Sequence, residues 1–336
     1  MVLQIMYTSF DSYTFVKVLS HLKSHRSKYL SGQKIGDALN ISRVTVWKCI
    51  SKIRSLGYKV EANQKMGYKL MELTDYLLPW ETKGGLETKL IGKRIYYFDN
   101  IDSTQNYASK LASDLKENGT VVIARLQSHG RGRQKRKWIS PKGGIWLSII
   151  FRPEFEVSKA TLFPMLSSLA LAVAIEKVLK LKPKLKWPND VTLNDKKVAG
   201  MLVDVSVESA SIESLVLGVG INFKINPINL EKSLKHNENF YGVTTLLKKK
   251  DVTKPVKLVQ VFLGELENMC QLLTEGKSRN LIRWWTKRSA TIGKRVVVST
   301  NQKKMRGKAI RIDFDGALVI SNRRKSYRIL VGDLIS

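Results

Sequence analysis

Leu185-Lys186-Trp187-Pro188-Asn189-Asp190 opens the stretch that decides the fold. From Lys184 to Phe223 the strand-like runs Lys184–Trp187, Val198–Val207 and Leu215–Phe223 follow one another, with a hairpin turn at Asn194-Asp195 and no helical period between them. A doubly wound fold would alternate strand and helix here, so the pattern is that of an α+β mixed sheet. Upstream, Ile95–Phe98, Val121–Leu126 and Ile145–Phe151 supply further strands. Ser103–Leu115, Lys159–Leu181, Val256–Leu273 and Asn280–Thr286 carry helical spacing. Within this sheet Lys186 sits between two apolar residues. An ammonium in such a place needs an anion. Either a ligand phosphate or carboxylate or the neighbouring Asp190 would serve, and Asp190 is also a candidate Mg²⁺ ligand.

Working toward the N-terminus, Thr74 to Gly92 holds Pro79, Gly84 and Gly85 and reads as a linker. Before it lie three helical patterns. Residues 12–27 place Phe15, Val18, Leu19 and Leu22 on one face, a short segment does the same with Ile35, Ala38 and Leu39, and Arg43–Leu56 turns Val46, Ile50 and Ile53 inward behind an N-capping Ser42. Tyr58–Ala62 and Tyr68–Met71 then form a hairpin. That order is a winged helix-turn-helix. The outward face of its third helix carries Ser42, Arg43, Thr45, Trp47, Lys48, Ser51 and Lys52, and Lys65 stands at the hairpin tip. Such residues neutralise phosphates and reach base edges, so this is the candidate DNA-binding surface; a protein-interaction module is the alternative.

Toward the C-terminus, Arg295–Ser299, Arg306–Asp313, Ala317–Ser321 and Ser326–Leu330 are short β runs separated by Asn301, Asp315-Gly316 and Asn322. They predict a small SH3-like β-barrel. The domains expected are therefore 1–73, 74–288 and 289–336, a multidomain α+β chain.

Composition narrows the function classes. The 336 residues carry 58 Lys/Arg against 28 Asp/Glu, a net charge of +30, and are 43% hydrophobic. That is enough apolar material for a core, and the charge favours acidic partners. It is densest at the two ends, with 12 Lys/Arg against 4 Asp/Glu in residues 1–73 and 13 against 3 in 287–336. The apolar run Leu162–Ile175 contains Pro164, Ser167 and Ser168 and reads as a buried helix, so no membrane role is expected. The N-terminus lacks a basic segment before an apolar run, which points to the cytoplasm. Two cysteines, Cys49 and Cys270, make no disulfide framework, and His21, His25, His129 and His236 make no metal site.

The segment with the most chemistry is Gln127-Ser128-His129-Gly130-Arg131-Gly132-Arg133-Gln134-Lys135-Arg136-Lys137-Trp138. Its glycines let backbone N–H groups approach a ligand, and five of the nine residues from Gly130 to Trp138 are Arg or Lys. That suits a carboxylate held beside phosphates, where mutual repulsion must be offset; a basic loop contacting nucleic acid is the alternative. It is neither a dinucleotide fingerprint nor a Walker A loop. Asp102-Ser103-Thr104-Gln105-Asn106 opens a helix with polar groups, and Ala199-Gly200 with Gly218 to Asn222 puts small residues on neighbouring strands, leaving room for a ligand or for close strand packing.

Together these segments resemble the biotin protein ligases, in particular the bifunctional type that also represses the biotin operon. The matching motifs are Gly130 through Trp138, Lys186-Trp187-Pro188-Asn189-Asp190, Ala199-Gly200, Gly218 to Asn222, Gly143 to Ser148 and Ile312-Asp313 to Gly316-Ala317-Leu318. The resemblance implies an enzyme that joins biotin and ATP into biotinyl-5′-AMP in the presence of Mg²⁺. Biotin then passes to a lysine of the biotin carboxyl carrier protein of acetyl-CoA carboxylase. It implies biotin contacts at Ser103, Thr104, Gln105, Gln127, Gly130, Arg131, Gly132, Arg133 and Lys186, with Arg133 and Lys186 catalytic. The nucleotide side would be formed by Arg131, Arg133, Arg136, Trp138, Asn189, Lys197 and Asn222. It further implies that the adenylate acts as corepressor, driving a homodimer onto operator DNA. A biotin-sensing regulator without turnover and a lipoate ligase are the competing functions. Gln134 and Lys135 stand where the family has Arg and Gly, and Gln105 where it has Asn.

Overall fold

A computed structural model describes residues 4–7, 13–26, 28–209, 211–234, 241–300, 303–322 and 325–335. His236, the turn expected at Asn301 and the outer ends of the first expected helix lie outside them. The chain divides into two units, Tyr7–Trp80 and the remainder.

A short strand, β1 (Gln4–Tyr7), precedes the helices α1 (Thr14–Ser24), α2 (Gly32–Leu39) and α3 (Arg43–Ser55). The hairpin of β2 (Lys59–Asn63) and β3 (Gly67–Glu72) follows. Val18, Leu19 and Leu22 of α1, Ile35 of α2 and Val46, Ile50 and Ile53 of α3 are buried where the three helices pack on one another. Ser31 and Ser42 cap α2 and α3 by accepting from the backbone N–H three residues on. Asn40 takes the left-handed conformation (φ 53°) that lets the chain turn between them.

The linker expected over Thr74–Gly92 contains a helix, α4 (Pro79–Lys83). Leu77, Leu78 and Trp80 are buried, and the Trp80 Nε1 donates to the Tyr58 hydroxyl at 2.8 Å. Five residues are too few to show a helical period, so the breakers around them dominated the pattern.

The larger unit holds β4 (Ile95–Phe98), α5 (Thr104–Asp114), β5 (Val121–Ala124), β6 (Ile145–Phe151), α6 (Phe163–Leu179), β7 (Lys184–Lys186), β8 (Asp190–Leu193), β9 (Lys196–Glu208), β10 (Ser211–Ile221), α7 (Pro227–Leu234), α8 (Pro255–Thr274) and α9 (Ser278–Lys287). One eight-stranded sheet runs in the order β1-β4-β5-β6-β10-β9-β8-β7. β4 and β5 are parallel and the pairs from β5 through β7 antiparallel, as a mixed sheet requires. α5 covers Tyr96, Phe98, Val122, Ala124, Ile150 and Val216 with Ala108 and Ala112. α6 packs on α8 and on β7, β8 and β9. It is apolar on every side because it is sandwiched; Val157–Leu179 is long and apolar enough to cross a membrane, yet most of it is buried in the protein.

Five strands follow: β11 (Arg295–Ser299), β12 (Lys304–Ile312), β13 (Leu318–Ser321), β14 (Ser326–Ile329) and β15 (Asp333–Ile335). They form an antiparallel sheet in the order β14-β13-β12-β11-β15. β15 was not expected, because three residues carry no alternation. Its pairing of Asp333 opposite Ser299 brings the end of the chain toward the basic loop.

Candidate active site

The loop after β5 is built by a few backbone bonds. Trp138 N–H donates to Gly130 O and Gly132 N–H to Arg136 O, both at 2.8 Å, so the loop folds back on itself as a narrow ribbon. At its tip Gln134 and Lys135 have φ of 53° and 58°. This left-handed region costs a side-chain-bearing residue roughly 1 kcal/mol. The two loop positions that depart from the pattern of the resembling family, Gln134 and Lys135, are thus the two where a glycine would relieve the backbone.

The loop covers a cavity of about 750 Å³ beside the N-terminal end of α5. Arg131, Arg133 and Lys186 all line it, as do Thr104, Gln105, Gln127, Gly132, Arg136, Trp138, Asn189, Asp190, Lys197 and Asn222. Ser103 and Gly130 do not. Ser103 is fully buried and caps α5 from behind, while Gly130 supplies the backbone bond to Trp138.

One end of the cavity is a continuous polar chain. Gln127 Nε2 donates to Ser140 Oγ at 2.8 Å, and its Oε1 accepts from Thr104 N–H at 2.7 Å. Thr104 and Ser148 hydroxyls lie 2.9 Å apart, and Ser148 donates to Gln105 Oε1 at 3.0 Å. Gln105 Nε2 donates in turn to Val216 O and Asp204 Oδ2. Arg131 closes the chain on Asp204 at 2.9 Å. The small strand residues make room chiefly for protein side chains. A Cβ on Gly218 would stand 2.5 Å from Gln105 Oε1, and one on Gly220 would stand 2.5 Å from the Trp138 indole.

The other end is cationic. Arg133 reaches Asp333 at 3.0 Å, Asn189 Oδ1 at 3.1 Å and Gly332 O at 3.1 Å. Arg136 also pairs with Asp333. Asn189 Nδ2 donates to Met201 O, which fixes its orientation. Lys197 forms an ion pair with Asp190 at 2.6 Å. Of the two partners that sequence reasoning offered Lys186, a ligand anion or Asp190, the second does not form: among the described residues no carboxylate makes an ion pair with Lys186, and its Nζ lies 3.2 Å from the centre of the Tyr241 ring. Burial lowers its pKa from 10.5 to about 8, offset in part by Asp190 and reinforced by Lys197 and Lys294. The buried Trp138 Nε1 and Asn222 Oδ1 have no hydrogen-bond partner among the described residues. A cavity with two unfilled polar atoms and an unneutralised ammonium is chemically incomplete without a polar, anionic ligand.

No group of three His, Cys, Asp or Glu side chains able to hold a metal occurs among the described residues. Asp190, the candidate Mg²⁺ ligand, is engaged by Lys197 and the Tyr241 hydroxyl. The residues present do not fit a resident metal ion.

Sequence reasoning missed Asp204, Asp333 and Tyr241. Each sits far along the chain from the residue it touches, and none lies in a motif. Ser148 was placed in a matching motif without a role.

On the DNA-binding candidate, Ser42, Arg43, Trp47, Lys48, Ser51 and Lys65 are exposed, and Thr45 and Lys52 are half-buried. Trp47 and Val44 expose 60% and 62% of their surface, so the face is not purely polar.

Comparisons with known proteins agree with this geometry. Residues 97–222 match the Biotin/lipoate A/B protein ligase family, and residues 17–69 match an HTH domain. The chain is 31% identical to the bifunctional ligase/repressor BirA of Bacillus subtilis (strain 168) over 312 residues, 92% of this chain and 94% of that protein. It is 29% identical to the bifunctional ligase/repressor BirA of Escherichia coli (strain K12), over 87% of this chain and 88% of that one. Biotin protein ligase from Aquifex aeolicus, solved in complex with biotin and ATP, superposes with a TM-score of 0.59 at 26% identity, covering 71% of this chain and 97% of that chain. A winged helix joined to a cation-lined cavity on a mixed sheet, with that identity along nine-tenths of its length, places the chain in the family of bifunctional biotin protein ligase/repressors.

Proposed function

We propose that the cavity binds biotin at its polar end and ATP at its cationic end, and makes biotinyl-5′-AMP. A carboxylate oxygen of biotin attacks the α-phosphorus of ATP, and pyrophosphate leaves. The amine of a carrier-protein lysine then attacks the biotinyl carbonyl, and AMP leaves. The observation that carries this reading is the convergence of Arg131, Arg133 and Lys186 on one cavity. Two anions repel each other, and three cations around the meeting point stabilise the charge that develops as the anhydride forms.

The polar chain from Gln127 to Gln105 supplies donors and acceptors for a neutral ring such as the ureido group of biotin. The N–H of Thr104 already meets an oxygen, so α5 acts through its side chains, with Ser103 holding the helix end in place. Arg131 and Arg133 exchange Asp204 and Asp333 for ligand oxygens. Arg136, Trp138, Asn189, Lys197 and Asn222 form the nucleotide side, where Trp138 Nε1 and Asn222 Oδ1 gain partners. Mg²⁺ would arrive with the phosphates of ATP and help offset their charge.

The organisation we infer is a DNA-binding domain at 1–73, a ligase domain at 74–288 and a small SH3-like barrel at 289–336. In the cytoplasm the adenylate serves as both intermediate and corepressor, favouring a homodimer on operator DNA. The carrier is the biotin carboxyl carrier protein of acetyl-CoA carboxylase.

The test is transfer of labelled biotin to that carrier with ATP and Mg²⁺. The wild-type chain labels it, and Lys186→Ala does not, while retaining its circular dichroism spectrum. Normal labelling by Lys186→Ala removes Lys186 from the reaction, and release of no pyrophosphate by the wild type removes the enzyme reading.

A further inference from the structure

Tyr241 has no part in the scheme above, yet it touches the central cation. Its ring centre lies 3.2 Å from Lys186 Nζ. Its hydroxyl donates to Asp190 Oδ2 at 2.8 Å, and Lys197 takes Oδ1 of the same carboxylate at 2.6 Å. Asp190 is directly opposite Lys186 in the β7–β8 register. It is therefore the carboxylate best placed to neutralise Lys186, and both its oxygens are engaged elsewhere.

A full ion pair with Asp190 would leave Lys186 already satisfied when substrate arrived. An aromatic face is a weaker partner, which holds an ammonium in place without cancelling its charge. We propose that Tyr241 is a positioning residue for the ligase reaction, whose hydroxyl restrains Asp190 while its ring aims the unpaired Lys186 ammonium into the cavity. This rests on the ligase reading above. The charged groups that act on Lys186 are Asp190 from β8, Lys197 from β9, Lys294 from the turn before β11 and Asp333 from β15. Of these, Asp190 alone is held by Tyr241.

The two functions of the side chain separate by substitution. Tyr241→Phe keeps the ring and frees Asp190 to pair with Lys186. Tyr241→Leu removes both. The full-length proteins are compared in single-turnover formation of biotinyl-5′-AMP from labelled biotin and ATP, from neutral to alkaline pH. Tyr241→Phe slows the step about tenfold, the order expected for one redirected charged hydrogen bond, with the KM for biotin unchanged within about twofold. Its alkaline limb moves to higher pH, because a carboxylate beside Lys186 favours the protonated amine. Tyr241→Leu is slower still. A slower Tyr241→Phe whose alkaline limb has not moved reduces Tyr241 to packing and overturns the proposal, as does an unchanged rate in both variants. If the wild type makes no adenylate, the ligase reading itself fails.

Discussion

Lys186 leads to the most specific prediction. Its amine ordinarily titrates at 10.5, and burial brings it to about 8 in the unliganded protein. The direction sets the sign: below about pH 8 the group is an ammonium, and above it the group is neutral. A bound adenylate places a phosphate against it and restores the charged form, so the pKa climbs back toward 10.5 in the complex. Affinity for biotinyl-5′-AMP is then highest below pH 8 and falls roughly tenfold per pH unit above it. The two pKa values bound the total loss at about 300-fold, or roughly 3 kcal/mol. Binding at alkaline pH also takes up close to one proton. Titration calorimetry in two buffers with different ionisation heats measures both quantities. Lys186→Arg is the control, because a guanidinium stays charged throughout. Its affinity profile is flat over the same range, even where the bulkier group weakens binding. A wild-type affinity that is level from neutral to alkaline pH refutes the reasoning. So does a Lys186→Arg protein that keeps the same alkaline decline.

Asp333 ties β15 to the basic loop through Arg133 and Arg136, so Asp333→Asn deprives a half-buried and an exposed guanidinium of the carboxylate they share. Trypsin is expected to cut within 131–137 several-fold faster in that variant, with biotin and ATP restoring protection; equal cutting rates would show that the loop is held by its backbone bonds alone. On the N-terminal unit, Lys48 is exposed on α3. Lys48→Ala is expected to weaken DNA binding without changing its sequence preference, and to lower the slope of log affinity against log salt by about 1, as loss of one phosphate contact requires.

Local pattern carried the secondary structure where segments were long. Helices α1, α3, α5, α6 and α8 and strands β9 and β10 are long enough for their pattern to be read from the sequence, while β4 and β6 show as predominantly apolar runs buried along their whole length. The elements that escaped were β1, β8, β15, α4 and α7. The three strands have four residues or fewer, and α4 has only five. α7 has eight residues but buries only Leu230. Such short or shallowly packed segments take their conformation from the surface that receives them.

The same division runs through the site. Arg131, Arg133 and Lys186 could be read as anion-binding groups from composition and neighbours, since charge in an apolar or glycine-rich setting is informative without coordinates. Their present partners could not. Asp204 lies 73 residues from the arginine it holds, and Asp333 lies 200 from Arg133. Such contacts exist only because β9 and β15 are brought against the loop. Sequence reasoning left Lys186 with either a ligand anion or Asp190 as its partner, and the register places Asp190 opposite it. Tertiary structure decided against the second, giving Asp190 to Lys197 and Tyr241 and leaving Lys186 against an aromatic ring. Residue types and local order thus dictate which chemistry the chain carries. Which charges are neutralised and which stay available depends on distances between remote segments, because hydrogen bonds form only at contact distance, screened Coulomb energies fade over roughly 10 Å, and both are blind to separation along the chain.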